Sequence, residues 1–207
     1  MIWVMAVETG RVAGGRRERN KAQKRGRILS AARRLLAEQG YARMTMAQVA
    51  EGADVAIGTV FQYAATKAEL LMMVTADRWS QTIPAVIGAV GRDAEPVTVV
   101  CRLLEPLLEA SRDEPENTMA IARELLFGAP GPHREAVVQL VADLEDAVAG
   151  VFRAAGAGER ANAAARLVVS GGMLEVNRTR TGRASGDSVE ARLTELIEVA
   201  LRGARGG

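Results

Sequence analysis

Residues Met44–Leu70, MTMAQVAEGADVAIGTVFQYAATKAEL, divide into two short helices around a tight turn and the start of a third. Thr45-Met-Ala-Gln48 has the pattern of a capping box, a hydroxyl at the N-cap and an amide three residues on that bonds back. Met46, Val49, Ala50 and Ala53 recur at helical spacing and mark one buried face. The turn falls at Gly52–Val55, and Asp54 stands where a left-handed backbone is expected, a conformation Asp tolerates better than most residues. Val55 and Val60 are expected to point inward. Ile57, Thr59, Phe61, Gln62 and Tyr63 are left as a small, uncharged outward face. Thr66-Lys-Ala-Glu69 is a second capping box, so a further helix should begin near Lys67.

Two helices about such a turn follow helix-turn-helix grammar, in which the second helix enters the DNA major groove. Read this way, Gln62 has the amide geometry for adenine, and Thr59 and Ile57 suit thymine methyl groups. Thr45, at a helix N-terminus, can bond a phosphate with help from the helix dipole. Lys67 can pair with a phosphate electrostatically, Tyr63 can reach one through its hydroxyl, and Gly58 lets the backbone approach closely. Phe61 either packs or touches the DNA.

The order of residues extends the pattern. Arg27-Ile-Leu-Ser-Ala-Ala-Arg-Arg-Leu-Leu-Ala-Glu-Gln-Gly40-Tyr41 precedes Thr45 and Val49-Ala50. Ala53-Asp-Val-Ala-Ile-Gly58-Thr59-Val60-Phe61-Gln62-Tyr63 follows, and then Lys67, Glu69 and Leu70. Over about residues 24–72 this resembles the DNA-binding domain of the TetR (tetracycline-repressor) family. It departs at Asp54-Val55-Ala56, where the family usually has Gly-Val-Ser, at Phe61, where Tyr is usual, and at Ala64, where Phe is frequent. The resemblance implies similar roles for the DNA-facing positions named above. It also implies a C-terminal body that binds a small-molecule effector and forms a homodimer.

Charge is unevenly spread. Arg11–Arg27 carries eight Lys/Arg against one acidic residue, Glu18, a local charge of +7 in a chain of net charge +2, so the remainder carries −5. A basic segment on an acidic body is the footprint of a protein that meets a polyanion at one end. Residues 1–19, with Gly10, Gly14 and Gly15, show no helical period and are expected to form a disordered basic arm. Arg16, Arg17, Arg19, Lys21 and Lys24 are its candidate phosphate contacts.

The rest reads as helices. With 48% hydrophobic and 25% charged residues, the composition is that of an ordinary globular chain. Abundant Ala, Leu, Arg and Glu with few prolines favours an all-α fold. The expected layout is an arm over 1–19, a three-helix helix-turn-helix head over 20–66, and a helical effector-binding and dimerisation body over 67–207. A first helix runs from Asn20 to Gln39 and stops at Gly40. A long helix from Lys67 bends near Pro84. Pro106 should kink another, and Pro115 should open the next. Gly171-Gly172 inside a helix costs about 1 kcal/mol per residue relative to Ala, which close approach of another helix would offset; a simple kink is the alternative account. With the apolar line Leu193, Leu196, Ile197 and Leu201, that pair suggests dimerisation through the last two helices. Met72, Met73, Trp79, Met119, Phe127 and Met173 are candidate linings of an apolar effector pocket. Arg123, Glu124, Glu175 and Asn177 are polar groups beside it.

Enzyme chemistry finds little foothold. The lone His133 lies in a Gly/Pro loop without a Ser or Cys partner in sequence, and neither a phosphate loop nor a metal-ligand cluster is present. No cofactor is expected. Cys101 is the one cysteine, so an intramolecular disulfide is excluded, and its apolar neighbours suggest a buried thiol. No apolar run approaches the roughly 20 residues that span a bilayer, and Met1–Val7 is too short for a secretory signal. The expectation is a cytoplasmic, ligand-responsive repressor that binds a near-palindromic DNA operator as a homodimer. An activator or effector-independent regulator stands behind it, and a helical enzyme last.

Overall fold

The computed structural model describes residues 15–89, 91, 94–178 and 188–206. Its first helix, α1 (Gly15–Arg43), is interrupted by Gly40, whose φ of 75° and ψ of 168° turn the chain toward the second. α2 (Met46–Gly52) and α3 (Ile57–Tyr63) follow. The capping box at Thr45 is formed in both directions: the Gln48 N–H donates to Thr45 Oγ1 and the Thr45 N–H to Gln48 Oε1. Asp54 takes the left-handed turn position with φ 51°, and its carboxylate accepts from Arg27 at 3.1 Å, which ties the turn to α1. Ile28, Ala31, Ala32, Leu36, Met44, Val49, Ala50 and Val60 fill the centre of this three-helix head.

α4 (Lys67–Ala89) runs through Pro84 to the far end of the molecule. At Thr66, half of the second expected box is made: the Glu69 N–H donates to Thr66 Oγ1. The Glu69 carboxylate turns away and accepts from the His133 N–H at 3.0 Å. Leu70 to Ala76 are buried without a break, because the head covers one side of α4 and the body the other. A helix apolar all round needs such enclosure.

α5 (Pro96–Asp113) continues through Pro106, and α6 (Pro115–Phe127) and α7 (Pro132–Ala154) each open on a proline. Proline suits the first helical turn because its missing N–H would have no partner there. A 3-10 turn (Gly158–Arg160) leads to α8 (Ala161–Arg178), and α9 (Val189–Arg205) ends the described chain with Ser188 as its N-cap. α7 lies along α4 on one side and α8 on the other, and α9 lies along α8. No strand occurs among the described residues, so the fold is all-α.

Two expectations are corrected here. The first helix begins at Gly15 and not at Asn20, so Arg16, Arg17 and Arg19 stand on a helix and not on a disordered arm. The other residues of the expected arm, 1–14, lie outside the described residues. The apolar line on α9 also faces inward: Leu193, Ile197 and Leu201 are buried within the chain. The close approach predicted for Gly171-Gly172 is real and is made by α9 of the same chain. A methyl group at Gly171 would lie 2.8 Å from Leu196 Cδ2, and one at Gly172 would lie 3.3 Å from Leu193 Cδ2. Outward on the same two helices are Leu167, Leu174 and Val199, each more than half exposed.

Candidate nucleic-acid interface

α3 has seven residues, and only Val60 is fully buried. Its N-cap, Ala56, has no side-chain hydrogen bond to give, so packing of Val60 and the turn at Asp54 hold this short helix in place. Ile57 is 47% exposed and Phe61 46%. Gly58 and Gln62 are exposed beside them, and Thr59 and Tyr63 are half-buried. Phe61 is thus out on the surface and not part of the buried core. Ile57, Gly58, Phe61 and Gln62 form one unobstructed face, and a Cβ added at Gly58 would meet nothing within 4 Å.

The first turns of α1 run beside this face. Arg17, Asn20, Lys21 and Lys24 line a groove of about 270 Å³ together with Thr59, Gln62 and Tyr63. Three of the five residues assigned to the arm are therefore brought to α3. Arg16 and Arg19 are exposed on α1 outside the groove lining. Tyr63 fastens the two helices by donating its hydroxyl to the Lys21 carbonyl at 3.0 Å. Two further cations of the basic segment are spent inside the molecule, Arg27 on Asp54 and Arg25 on Asp77.

Two other expected phosphate contacts have partners of their own. The Thr45 hydroxyl lies within its capping box, 3.0 Å from Gln48 Oε1. Lys67 donates to the Ala42 carbonyl at 2.9 Å and stands 4.6 Å over the Tyr41 ring. An ammonium has three donors, so Lys67 braces the head with one of them. Burial is the main cause that pushes the Tyr41 phenol above its ordinary pKa, and at neutral pH the ring facing Lys67 is uncharged.

Other bonds among the described residues also join head and body. Asp77 of α4 accepts from Arg25 and Arg33 of α1. Asn117 and Glu116 of α6 accept the Tyr41 and Ala42 N–H groups at 2.8 and 3.0 Å. His133, on the first turn of α7, places Nε2 2.9 Å from the Tyr63 carbonyl at the end of α3. A carbonyl only accepts, so that nitrogen carries the proton. Sequence reading set His133 aside as a loop residue, because nothing along the chain announces a partner seventy positions away.

The proposed pocket residues do not gather. Met72 and Met73 are core, Met119 is exposed, Phe127 is 82% exposed at the end of α6, and Met173 is half-buried on α8. Trp79 alone of the six lines either of the two larger cavities described. Of the polar groups, Arg123 pairs with its neighbour Glu124, and Glu175 pairs with Arg178 and Arg192. The Asn177 side chain lies outside the described residues. Among the described residues, no group of His, Cys, Asp and Glu could hold a metal ion, and no helix is long and apolar enough to cross a membrane.

Residues 28–73 match the family model described as bacterial regulatory proteins, tetR family. That segment of the chain is of the TetR type. The chain is 31% identical over 105 residues to the HTH-type transcriptional repressor KstR of Rhodococcus jostii (strain RHA1), covering 51% of this chain and 49% of that one. It is 31% identical over 94 residues to the HTH-type transcriptional regulator HbdR of Aromatoleum sp. (strain CIB), covering 44% and 41%. The match thus spans about half the length, or less, of these curated relatives. Among solved structures, a TetR transcriptional regulator from Rhodococcus sp. RHA1 superposes with a TM-score of 0.70 at 21% identity, over 88% of this chain and 97% of that one. FadR of Thermus thermophilus, a TetR-family repressor in complex with lauroyl-CoA, gives 0.66 at 24% identity, over 86% and 94%. At these identities the structures show the fold alone, an all-α architecture shared over 88% and 86% of this chain. The TetR relatives named here are regulators and not enzymes.

Proposed function

We propose that this chain is a TetR-type regulator that binds operator DNA as a homodimer and represses transcription until a small-molecule effector releases it. One observation carries the reading: the open face of α3 lies beside a groove lined by Arg17, Lys21 and Lys24. Exposed Ile57 and Phe61 on so short a helix gain nothing in water, but apolar side chains there suit thymine methyl groups, and Gln62 suits adenine. The three cations suit flanking phosphates, with Arg16, Arg19, Thr45, Tyr63 and the unspent donors of Lys67 as further contacts.

Dimerisation is supported by the outward apolar residues Leu167, Leu174 and Val199 on α8 and α9, which a second copy would cover. A two-fold dimer presents α3 twice, so the operator is a near-palindrome with half-sites about one helical turn, or a multiple, apart. An effector releases DNA only if it prefers the conformer that does not bind. The acyl-CoA complex of the Thermus thermophilus neighbour makes an amphipathic anion the first class to try. A regulator of this kind works in the cytoplasm. Fluorescence anisotropy with labelled DNA from upstream of the chain's own gene tests the reading. Saturable binding that outlasts competition by scrambled duplex is expected, and equal affinity for both duplexes would overturn it.

A further inference from the structure

A cavity of about 560 Å³ lies on the seam between head and body, between α1, α4, α5 and α6. That size is typical of small-molecule sites. Leu71, Trp79 and Ile121 give it apolar walls, and Arg33, Arg34 and Arg78 face it against the single carboxylate of Glu114. The second large cavity, about 460 Å³ beside Val99 and Val151, has no charged residue among the described residues of its lining. The two would therefore select different ligands.

One wall of the seam cavity is also a chain of hydrogen bonds into the head. Arg78 of α4 lies 3.4 Å from Glu114 Oε1. The other oxygen of Glu114 accepts from Asn117 Nδ2 at 2.7 Å. Asn117, 3% exposed, also donates to the Leu36 carbonyl at 3.2 Å and accepts from the Tyr41 N–H at 2.8 Å. Arg78 and Glu114 are thus the open, weaker end of a network whose other end grips the last turns of α1. The Arg78 side chain is 40% exposed and its bond is long, so a competing anion meets a small barrier there.

We infer that the seam cavity takes an amphipathic organic anion, an apolar body ending in one carboxylate or phosphate, and that this anionic end draws Arg78 away from Glu114. The apolar body lies against Trp79 and Ile121. Guanidinium groups favour both anions by paired, charge-assisted hydrogen bonds. The ligand prefers the conformer in which the Arg78–Glu114 pair is open, and that preference is what loosens the hold of α6 on α1. The inference rests on the reading of the chain as a ligand-responsive regulator.

The test reads binding and DNA release separately. Trp3 and Trp79 are the only tryptophans, so in a Trp3→Phe chain the fluorescence reports Trp79 alone. Laurate, dodecyl phosphate and the neutral 1-dodecanol are titrated below their aggregation thresholds. At least one anion should bind about tenfold more tightly than the alcohol, the scale of one charged hydrogen bond, and the tighter of the two identifies the head group. Arg78→Gln should remove that advantage and leave the alcohol unchanged. Ile121→Phe, which narrows the cavity without touching a charge, should weaken all three. Equal affinities for anion and alcohol, or an anion affinity indifferent to both substitutions, would overturn the site. DNA binding that persists with no anion response sinks this inference and spares the operator reading. Anion binding by a chain that ignores DNA does the reverse.

Discussion

Gly40 occupies a backbone region that is essentially closed to other residues, and a methyl group on it would come within 2.7 Å of the Glu116 carboxylate. Both restrictions act at the point where α6 accepts N–H groups from the end of α1. Gly40→Ala should therefore cost about 1–3 kcal/mol from the backbone alone. Urea denaturation would register this as a lower midpoint, and an unmoved midpoint would refute it. Gln62 belongs to the other end of the head. Gln62→Ala should lower affinity for a matched operator by roughly 1–3 kcal/mol per half-site and spare scrambled DNA. Equal losses on both duplexes would mean that the reading face is wrongly placed. Several of these residue-scale features were legible in the sequence, because they are local: the Thr45 box, the left-handed Asp54 and the chain reversal at Gly40 each depend on neighbours a few positions away. The partners of Lys67, Tyr63 and His133 were not. Each lies on a different element, and pattern along a chain carries no record of which carbonyl a long side chain will meet.

Helical periodicity located the elements well and their faces less well. On α9, the line Leu193, Leu196, Ile197 and Leu201 was correctly apolar, but a stripe records burial without naming what buries it. Here α8 does so, which leaves Leu167, Leu174 and Val199 outside. Leu174→Asp should accordingly halve the mass seen by light scattering and leave the chain folded. Leu193→Asp should unfold it by burying a charge. A Leu174→Asp chain that keeps the dimer mass would move the interface elsewhere. At the other terminus, the early start of α1 turns a charge run into an ordered row. On the proposed reading, cations held on a helix beside α3 would make defined phosphate contacts. Lys21→Ala and Lys24→Ala should each flatten the plot of log affinity against log salt by about 0.9 if each releases one counterion on duplex DNA. Slopes equal to that of the parent chain would make the row a bystander.

Across the molecule, the links between head and body differ in kind. The Asp77 pairs are partly solvated and the Asn117 bonds are buried, whereas His133 reaches the end of α3 itself. His133→Leu removes that bond and should cost about 1 kcal/mol of stability. Because the bond fixes one end of the reading helix, the loss should also appear as weaker operator binding in anisotropy. A variant that melts earlier but binds its operator with parental affinity would show that His133 holds the fold only. The pocket was the least legible feature. Methionines and aromatics at helical spacing are most often core, as Met72 and Met73 proved to be, and the seam cavity instead draws its walls from α1, α4, α5 and α6, which meet only on folding.

The unbroken burial of Leu70 to Ala76 bears on how portable the head is. A boundary drawn at residue 66 separates the reading surface from the body on paper, but it cuts away the helix against which both were built. A fragment that stopped there would show water the side of α1 that α4 now covers, and a body that began at Lys67 would carry a bare apolar rod at its front. Grafting this head onto another body therefore calls for a junction beyond Ala76, with the recipient's own α4 reshaped to accept the transplanted half.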